Sequence, residues 1–564
     1  MSYTINPNAK NRWARNAENT MDLSLETDAS SVYLDNGRTL EQEIGEGSMV
    51  SNVATIDSGM EKVIDGTYDG AYESCKMYGK SLVNLATHSK RQNIKVQNLL
   101  DSNGRLSWNT TGAWGKVGFT VQGKPNSTYC VKYGDKHTTL RIYVRYVDGL
   151  SGTTQPITAL NSTCKKFTTD TTGIFTLALE QVEATTDSWI QDFVILEYQE
   201  GMENWDIPYF EGLCDVKMPI LRSVGKNLIN EQNNTDGRFI WTTGEEYSDS
   251  NTIRTDFVRV PSNTTVYSDY KAHFFLYDRD KQYLGVNEVG NKTSSAGSMK
   301  NTLTIDSSVT YVRIYWDKTS GENNQLTVSS TATPYENHKT NILETSNDIV
   351  LRGLPNGVKD SYDCLTGEYV QRIGEVVYNN TNVTGFYVSD SYQKEGCTTF
   401  MRPVDETFKK EPKMISNLLP FLPTGHWNDV DECLFAGTVL VIRLKSTKAS
   451  NVTELQEYLS QHPLVVQYEL AEPITTTIES STIPFAYENG HIILESGHEG
   501  QSLLPTLEYS TVINKTGQVE NVAKTIQRQE KQLTMLEKML IQNIINLDYN
   551  NTLLTLKNEM EEML

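Results

Sequence analysis

Four tryptophans, Trp108, Trp114, Trp241 and Trp316, stand among tyrosine, asparagine and arginine and offer the most usable side-chain chemistry in this chain. A sugar ring presents C–H faces that stack on an indole, while Asn, Asp and Arg hydrogen-bond its hydroxyls, so this mixture suits a shallow glycan site. A buried role competes with that one. β-Sandwich cores often enclose a Trp, and Trp108 and Trp241 hold matched positions in two similar stretches, as core residues would. Trp114 differs: in Gly112-Ala113-Trp114-Gly115 it is flanked by glycines in a loop context, which makes it the better candidate for an exposed platform.

Cleaving a glycan would need two carboxylates about 5–5.5 Å or about 6.5–9.5 Å apart. Two places offer acidic residues at alternating spacing, which a strand turns to one side. They are Asp429, Asp431 and Glu432 beside His426 and Trp427, and Asp278 and Asp280 after Phe274-Phe275-Leu276-Tyr277. In a chain with 71 acidic residues such pairs arise often by chance, and Asp278 to Tyr283 reads better as a hairpin turn. No G-x-S-x-G elbow, H-E-x-x-H helix or phosphate-cradling glycine loop occurs. The histidines are isolated apart from His491 and His498, whose hairpin setting carries no metal signature. The expectation is a chain with no catalytic residue, no metal and no cofactor.

Composition narrows the partners. At 564 residues the chain exceeds one core, and about 150 residues per domain suggests three or four units. Tyr outnumbers Phe 29 to 15, and Thr, Asn and Ser abound, which suits half-wet antiparallel sheets. A net charge of −21 argues against nucleic acid, whose phosphates need Lys and Arg, and against adsorption to anionic membrane. A neutral glycan or a protein surface remains compatible. No run of 18 apolar residues exists, so membrane insertion is not expected. The opening Met1-Ser2-Tyr3-Thr4-Ile5-Asn6-Pro7 lacks the basic-then-apolar order of a signal peptide, so synthesis in the cytoplasm without signal-peptide secretion is expected. Seven scattered cysteines without a C-x-x-C pair are expected to be free thiols rather than a zinc site or a disulfide scaffold. The N-x-S/T triplets at Asn109, Asn126, Asn161, Asn263 and Asn451 reflect an Asn- and Thr-rich composition.

The elements that must hold these side chains read as sheets. Short alternating runs such as Val117-Gly118-Phe119-Thr120-Val121 and Leu140-Arg141-Ile142-Tyr143-Val144, punctuated by Gly, Asn and Asp, predict β-sandwich structure. The pattern then repeats. Gly79-Lys80-Ser81-Leu82-Val83-Asn84 is echoed by Gly225-Lys226-Asn227-Leu228-Ile229-Asn230, and Arg105 to Gly112 by Arg238 to Gly244. Pro208-Tyr209 and Pro334-Tyr335 follow in the same order, which predicts a duplicated module. A third β-rich region follows Leu354, with strand Thr438 to Leu444, a short helix around Val452 to Leu459 capped by Asn451 or Thr453, and a hairpin from Phe485 to Leu494 with its tip at Glu488-Asn489-Gly490. Near the start, Met49, Val53, Ile56, Met60 and Val63 alternate spacings of four and three, which predicts a short helix, either with a coiled-coil stripe or simply packed on a domain. The fold class predicted is therefore mainly β, as tandem β-sandwich domains. The divisions are an N-terminal segment with a short helix (1–70), two β-sandwich modules (71–218 and 219–350), a third β-rich module (351–515) and a C-terminal coiled coil (516–564).

That coiled coil rests on Val519, Ile526, Leu533, Leu540, Leu547 and Leu554, which recur every seventh residue. An ideal helix drifts by about 20° per heptad against such a seam, so partner helices must wrap to bury it. The second track holds Val522, Gln529, Leu536, Asn543, Asn550 and Lys557, whose polar layers can fix register and oligomer number. From 519 to 554 the rod would be roughly 54 Å long.

Several stretches resemble tail-fibre and baseplate proteins of phages and prophages of Gram-positive bacteria. They are Val32-Tyr33-Leu34-Asp35-Asn36-Gly37-Arg38-Thr39-Leu40, the two module openings at Gly79 and Gly225, Leu354-Pro355-Asn356-Gly357-Val358-Lys359-Asp360 with Gln371-Arg372-Ile373-Gly374, and Val465 to Pro473. The resemblance implies modules similar to carbohydrate-binding jelly rolls, an N-terminal segment on the tail, and a place in the virion tail. It also favours a homotrimer, with a dimer as the alternative, and implies other tail proteins and host cell-surface polysaccharide as partners. The leading expectation is a non-enzymatic attachment protein. An architectural connector carrying a separate receptor binder, or a tail-associated polysaccharide depolymerase, are the alternatives. Light scattering of the full chain should give roughly three times the 63.6 kDa monomer mass; a mass near that of one chain would refute the assembly.

Overall fold

Strand Ser74–Tyr78 runs antiparallel between Ser361–Asp363 and Thr506–Ser510, partners drawn from the middle and the far part of the chain. This long-range pairing defines the architecture. The computed structural model describes residues 53–512 apart from 87–90, 103, 147–148, 151–154, 157–163, 186, 294–296, 322, 347–348, 405, 410–412, 424–428, 479–481 and 500–501, with isolated positions on either side. Within it, a seven-stranded sheet has the order Met414–Ser416, Leu464–Thr477, Glu368–Tyr378, Ser361–Asp363, Ser74–Tyr78, Thr506–Ser510 and Ala54–Ile56. Two further sheets complete a hub. One pairs Val350–Leu351, Leu213–Lys217 and Ser81–Val83; the other pairs Thr340–Glu344, Pro219–Val224, His491–Ser496 and Met60–Lys62. Met77, Leu82, Val216, Leu343, Leu351, Leu494 and Leu507, taken from all three sheets, share one core with Tyr72.

The rest of the described chain loops out of this hub as three insertions, between Ser81–Val83 and Leu213–Lys217, between Pro219–Val224 and Thr340–Glu344, and between Glu368–Tyr378 and Leu464–Thr477. Each has apolar clusters of its own. Residues 71–218, 219–350 and 351–515, read from sequence as successive modules, all contribute strands to the hub. The protein is mainly β. Among the described residues the α-helix Val452–Gln461 stands in the third insertion, where the Asn451 side chain accepts the Glu454 amide at 3.0 Å and Glu454 returns a bond from the Ser450 amide at 2.7 Å.

The first two insertions share one topology. In the first, a sheet ordered Arg91–Ile94, Gly115–Gln122, Ile174–Gln181, Leu140–Arg145, Gln155–Pro156 faces a smaller one ordered Lys165–Thr168, Thr128–Lys132, Val194–Glu197 across a common core. In the second, Thr235–Asp236, Thr252–Arg254, Tyr311–Asp317, Thr265–Tyr277 and Tyr283–Val286 follow the same order. The early part of Thr265–Tyr277 also lies between Lys300–Thr304 and Leu326–Val328, as the smaller sheet. A buried asparagine pins each one. Asn84 Oδ1 accepts the Ala86 and Ile195 amides at 2.9 and 3.1 Å, and its Nδ2 donates to the Phe210 carbonyl at 2.8 Å. Asn227 does the same with the Ile229 and Leu326 amides, at 3.0 and 3.2 Å, and the Glu336 carbonyl, at 3.2 Å. Phe210 and Glu336 each follow a Pro-Tyr pair by one residue. The duplication is thus visible in the bonding, with Asn84 equivalent to Asn227, three residues out of step with the Gly79–Gly225 match of the letters.

Other expectations change. The helix on Val53, Ile56, Met60 and Val63 is replaced by strands Ala54–Ile56 and Met60–Lys62 on two hub sheets, where Ile56, Met60 and Val63 are buried; Met49 lies outside the described residues. Burial against two sheets overrides a periodicity spread over only two heptads. Cys130 and Cys164 are disulfide-bonded, with Cα atoms 5.5 Å apart, so not every cysteine is a free thiol. Antiparallel pairing of Thr128–Lys132 with Lys165–Thr168 brings them together, which spacing alone could not reveal. The coiled-coil positions Val519 to Leu554 lie outside the described residues.

Two predictions follow from this architecture. Asn84→Ala or Asn227→Ala strands two interior amides and one carbonyl, and each should cost about 2–4 kcal/mol in urea unfolding; a loss within about 0.5 kcal/mol would remove the pinning role. His491, on a strand between Pro219–Val224 and Met60–Lys62, is buried, and its ring nitrogens have no hydrogen-bond partner among the described residues. Burial, aided by the Lys62 charge, lowers its pKa to about 4. A folded pKa below the ordinary value of about 6.5 means that His491 costs nothing above that pH and withdraws roughly 3 kcal/mol as pH falls towards 4. His491→Phe should therefore flatten the stability–pH curve between these limits; an unchanged slope would count against it.

Candidate functional site

Strand alternation builds the site. In Leu140–Arg145 the side chains of Leu140, Ile142 and Val144 enter the core of the first insertion, which turns Arg141, Tyr143 and Arg145 to the opposite face. In Gly115–Gln122, Val117, Phe119 and Val121 point inward, which leaves Lys116, Gly118 and Thr120 on that outer face. Register then brings charges together: Glu180 lies opposite both Lys116 and Arg141. The Tyr143 hydroxyl donates to Glu180 Oε2 at 2.7 Å, and Lys116 Nζ stands 2.8 Å from the same oxygen. Burial, then the bond to Glu180, raises the Tyr143 pKa. Burial opposes the Lys116 charge, yet its bonds to Glu180 and Tyr143 outweigh that and its pKa is also raised. Lys116 is thus held as an ammonium and Tyr143 as a neutral phenol at neutral pH.

Trp114 stands at one end of this face. It is 47% exposed, at a φ of 67°, in the left-handed region that an aromatic residue rarely adopts. Its amide donates to the Gln181 carbonyl at 3.0 Å, while the next residue has no room for a side chain: a Cβ on Gly115 would lie 2.5 Å from Thr110 Cγ2. The turn thus holds the indole outward against its apolar preference. The Arg141 guanidinium lies 5.6 Å from the ring centre, and exposed Ile94 pairs with Lys116 alongside. At the other end Leu150 packs on Tyr143 and Ala178 and leaves no space for a Cβ on Gly118. The face is open at Trp114 and covered at Leu150.

The other tryptophans divide. Trp108 (1% exposed) and Trp316 (0%) belong to the cores of the two insertions, so neither can meet a ligand at the surface. Trp316 donates inward to the Gly321 carbonyl at 3.0 Å. Trp241 is half-buried on a turn between Arg238–Phe239 and Glu246–Tyr247 and is not the structural equivalent of Trp108. That hairpin lies over the second insertion's outer face, made of His273, Phe275, Tyr277, Arg313 and Tyr315. Trp241 Nε1 donates to the Tyr315 hydroxyl at 3.2 Å, the Tyr277 hydroxyl donates to the Gly244 carbonyl at 3.0 Å, and Arg313 bonds Glu246 at 2.7 Å. Burial lowers the His273 pKa there. The same face is therefore open at one end in the first insertion and filled by its own chain in the second.

The acidic candidates have structural partners. Asp278 accepts the Gln282 amide at 2.7 Å and donates its own amide to the Gln282 carbonyl at 3.1 Å, which makes the hairpin turn its sequence suggested. Asp431 pairs with Lys394 at 3.1 Å and Glu432 with Lys448 at 2.8 Å. His426 and Trp427 lie outside the described residues. Sequence reasoning overlooked Lys116, Arg141, Tyr143 and Glu180. Part of their signal is present: Arg141 and Tyr143 are the polar members of the alternating run from Leu140 to Val144, Lys116 directly precedes the run from Val117, and Glu180 lies on the strand between the two.

No protein-family model matches the chain, and no curated protein matches it. Among solved structures, the arabinofuranosyltransferase AftD from Mycobacteria aligns over 82% of this chain and 36% of its own, at 7% identity and a TM-score of 0.15. The chain spans little more than a third of that protein, and a likeness so slight bears on neither fold nor function.

Proposed function

We propose that the chain is a non-enzymatic tail-fibre or baseplate component that attaches to host-surface glycan through the outer face of its first insertion. The observation that carries this reading is Trp114, an exposed indole on a constrained turn beside a guanidinium and next to the Tyr143–Glu180–Lys116 triad. A stacking plane with adjacent donors and acceptors is what a sugar ring needs. In this reading the first two insertions are jelly-roll-like, carbohydrate-binding-module-like β-sandwiches, and their shared strand order supports a common origin. The assembly is a homotrimer on the virion tail, and weak single sites gain about 10²–10⁴ in avidity when linked. A connector that carries a separate receptor binder is the second reading, favoured by the filled face of the second insertion.

Fluorescent full-length protein should label Gram-positive host cells and their purified wall polysaccharide, and Trp114→Ala should weaken labelling by about tenfold or more, as loss of one stacking contact of roughly 1.4 kcal/mol would. Equal labelling by the variant would overturn the site. Absence of labelling by the unmodified protein would favour the connector, and steady release of reducing ends from the polysaccharide would favour a depolymerase.

A further inference from the structure

A cleft opens where the first insertion, the hub and the third insertion meet, on the far side of the hub sheet from Ala54–Ile56. Its volume is about 360 Å³, and a narrower recess of about 50 Å³ adjoins it past Lys124 and Phe421. Its floor is apolar, from Pro355, Met414, Phe421 and Leu422. Its rim carries an amide from Asn126, a hydroxyl from Ser127, an amide from Asn356, an ammonium from Lys413 and a carboxylate from Asp429.

Each wall is fixed by its own bonds. In the first insertion, Lys124 donates its amide to the Tyr129 hydroxyl at 2.7 Å, and Thr169 Oγ1 bonds the Lys124 carbonyl at 2.7 Å and receives the Ser127 amide at 2.9 Å. In the hub, the Leu354-Pro355-Asn356-Gly357 turn is closed by the Leu354 amide on the Val358 carbonyl at 2.8 Å, with Gly357 at a φ of 90°. Buried Asp360 anchors that turn by accepting the amides of Arg352, Arg372 and Ile373 at 3.0, 2.6 and 3.0 Å. In the third insertion, Leu422 and Leu434 exchange backbone bonds with Leu434 and Pro420 at 2.9 and 3.0 Å. The concavity is thus preformed, and its size and mixed lining are those of a small-molecule site.

We infer that this cleft is a second binding site and that it takes a neutral saccharide of one or two rings. The choice of ligand class rests on the attachment reading above, while the site itself stands on the geometry. Charge balance carries the choice. Lys124 is neutralised by Glu197 at 2.7 Å, and among the described residues the rim also carries Lys413 and Asp429 beside neutral amide and hydroxyl groups. Among these described residues an anionic or cationic ligand finds no excess of opposite charge, whereas hydroxyls find both donors and acceptors and C–H faces find Pro355 and Phe421. The Leu354-to-Asp360 stretch then has a role: Asp360 holds the turn that presents Pro355 and Asn356 to the ligand.

Methyl NMR on the full chain, labelled at Met and Ile, separates this site from the Trp114 face. Titration with lactose, maltose or N,N′-diacetylchitobiose should shift the Met414 methyl saturably. Asn356→Trp, which fills the cleft, should abolish that shift, and Lys413→Ala, at an exposed position, should weaken it by about fivefold. No Met414 shift with any of the three sugars, or a shift that persists in Asn356→Trp with unchanged strength, overturns the inference. A shift at Ile94 alone leaves the attachment face standing and removes the cleft. A Met414 shift produced by a proline-rich peptide but by no sugar also overturns it.

Discussion

Asp215 sits where four distant stretches of the hub meet, and its carboxylate is almost wholly buried. Ser81 Oγ donates to it at 2.5 Å and Gln467 Nε2 at 2.8 Å, while Arg352 Nε stands 3.7 Å away and Glu375 shares the Gln467 amide at 3.0 Å. Burial raises the Asp215 pKa, and the Arg352 charge works against that rise. A buried charge of this kind is no large net source of stability, but removing one partner leaves the others uncompensated, at a cost of several kcal/mol. Its consequence is specificity. Strands from residues 81, 215, 352 and 467 satisfy that carboxylate only when all are in place, so the hub closes as a unit and the insertions follow from where it closes.

That closure sets the limit on what could be read from the residues alone. Local features were legible because their causes are local. The Asn451 cap, the Asp278 turn and the strand Val439–Lys445 are each specified by their own neighbours. The turn at Glu488-Asn489-Gly490 also forms, with Asn489 at a φ of 54°, but the strands on either side do not pair with each other. Phe485–Ala486 joins Gly70–Ala71, and His491–Ser496 joins Pro219–Val224 and Met60–Lys62. Turn chemistry predicts a reversal of direction; only sheet register predicts the partner.

The duplication shows the same division from another side. Letter matching put Trp108 with Trp241 and Gly79 with Gly225, yet the bonding equates Asn84 with Asn227. Trp108 fills a core and Trp241 caps a sheet. Lys80 lies buried 2.8 Å from Asp57 in the hub, whereas Lys226 reaches the Pro334 carbonyl at 2.7 Å. What repeats is an asparagine whose three bonds tie the module's entry to its last strand and exit. The outer faces were then free to diverge, one to charged groups beside Trp114 and the other to aromatics under a hairpin. The candidate site was half legible: the exposed Trp announced itself through its glycines, while the triad beside it was hidden as the polar half of core strands.

The strand order of the seven-stranded sheet sets its two edges apart. Ala54 lies opposite Tyr509 at one edge of the seven-stranded sheet. The cleft lies at the opposite edge, beside Met414–Ser416, six strand spacings or roughly 29 Å across the sheet. The polarity is a property of the hub, because the sheet order that sets Ala54–Ile56 beside Thr506–Ser510 also sets Met414–Ser416 at the far edge. One edge of this sheet therefore carries Ala54–Ile56 beside Thr506–Ser510, and the other carries Met414–Ser416 and the cleft.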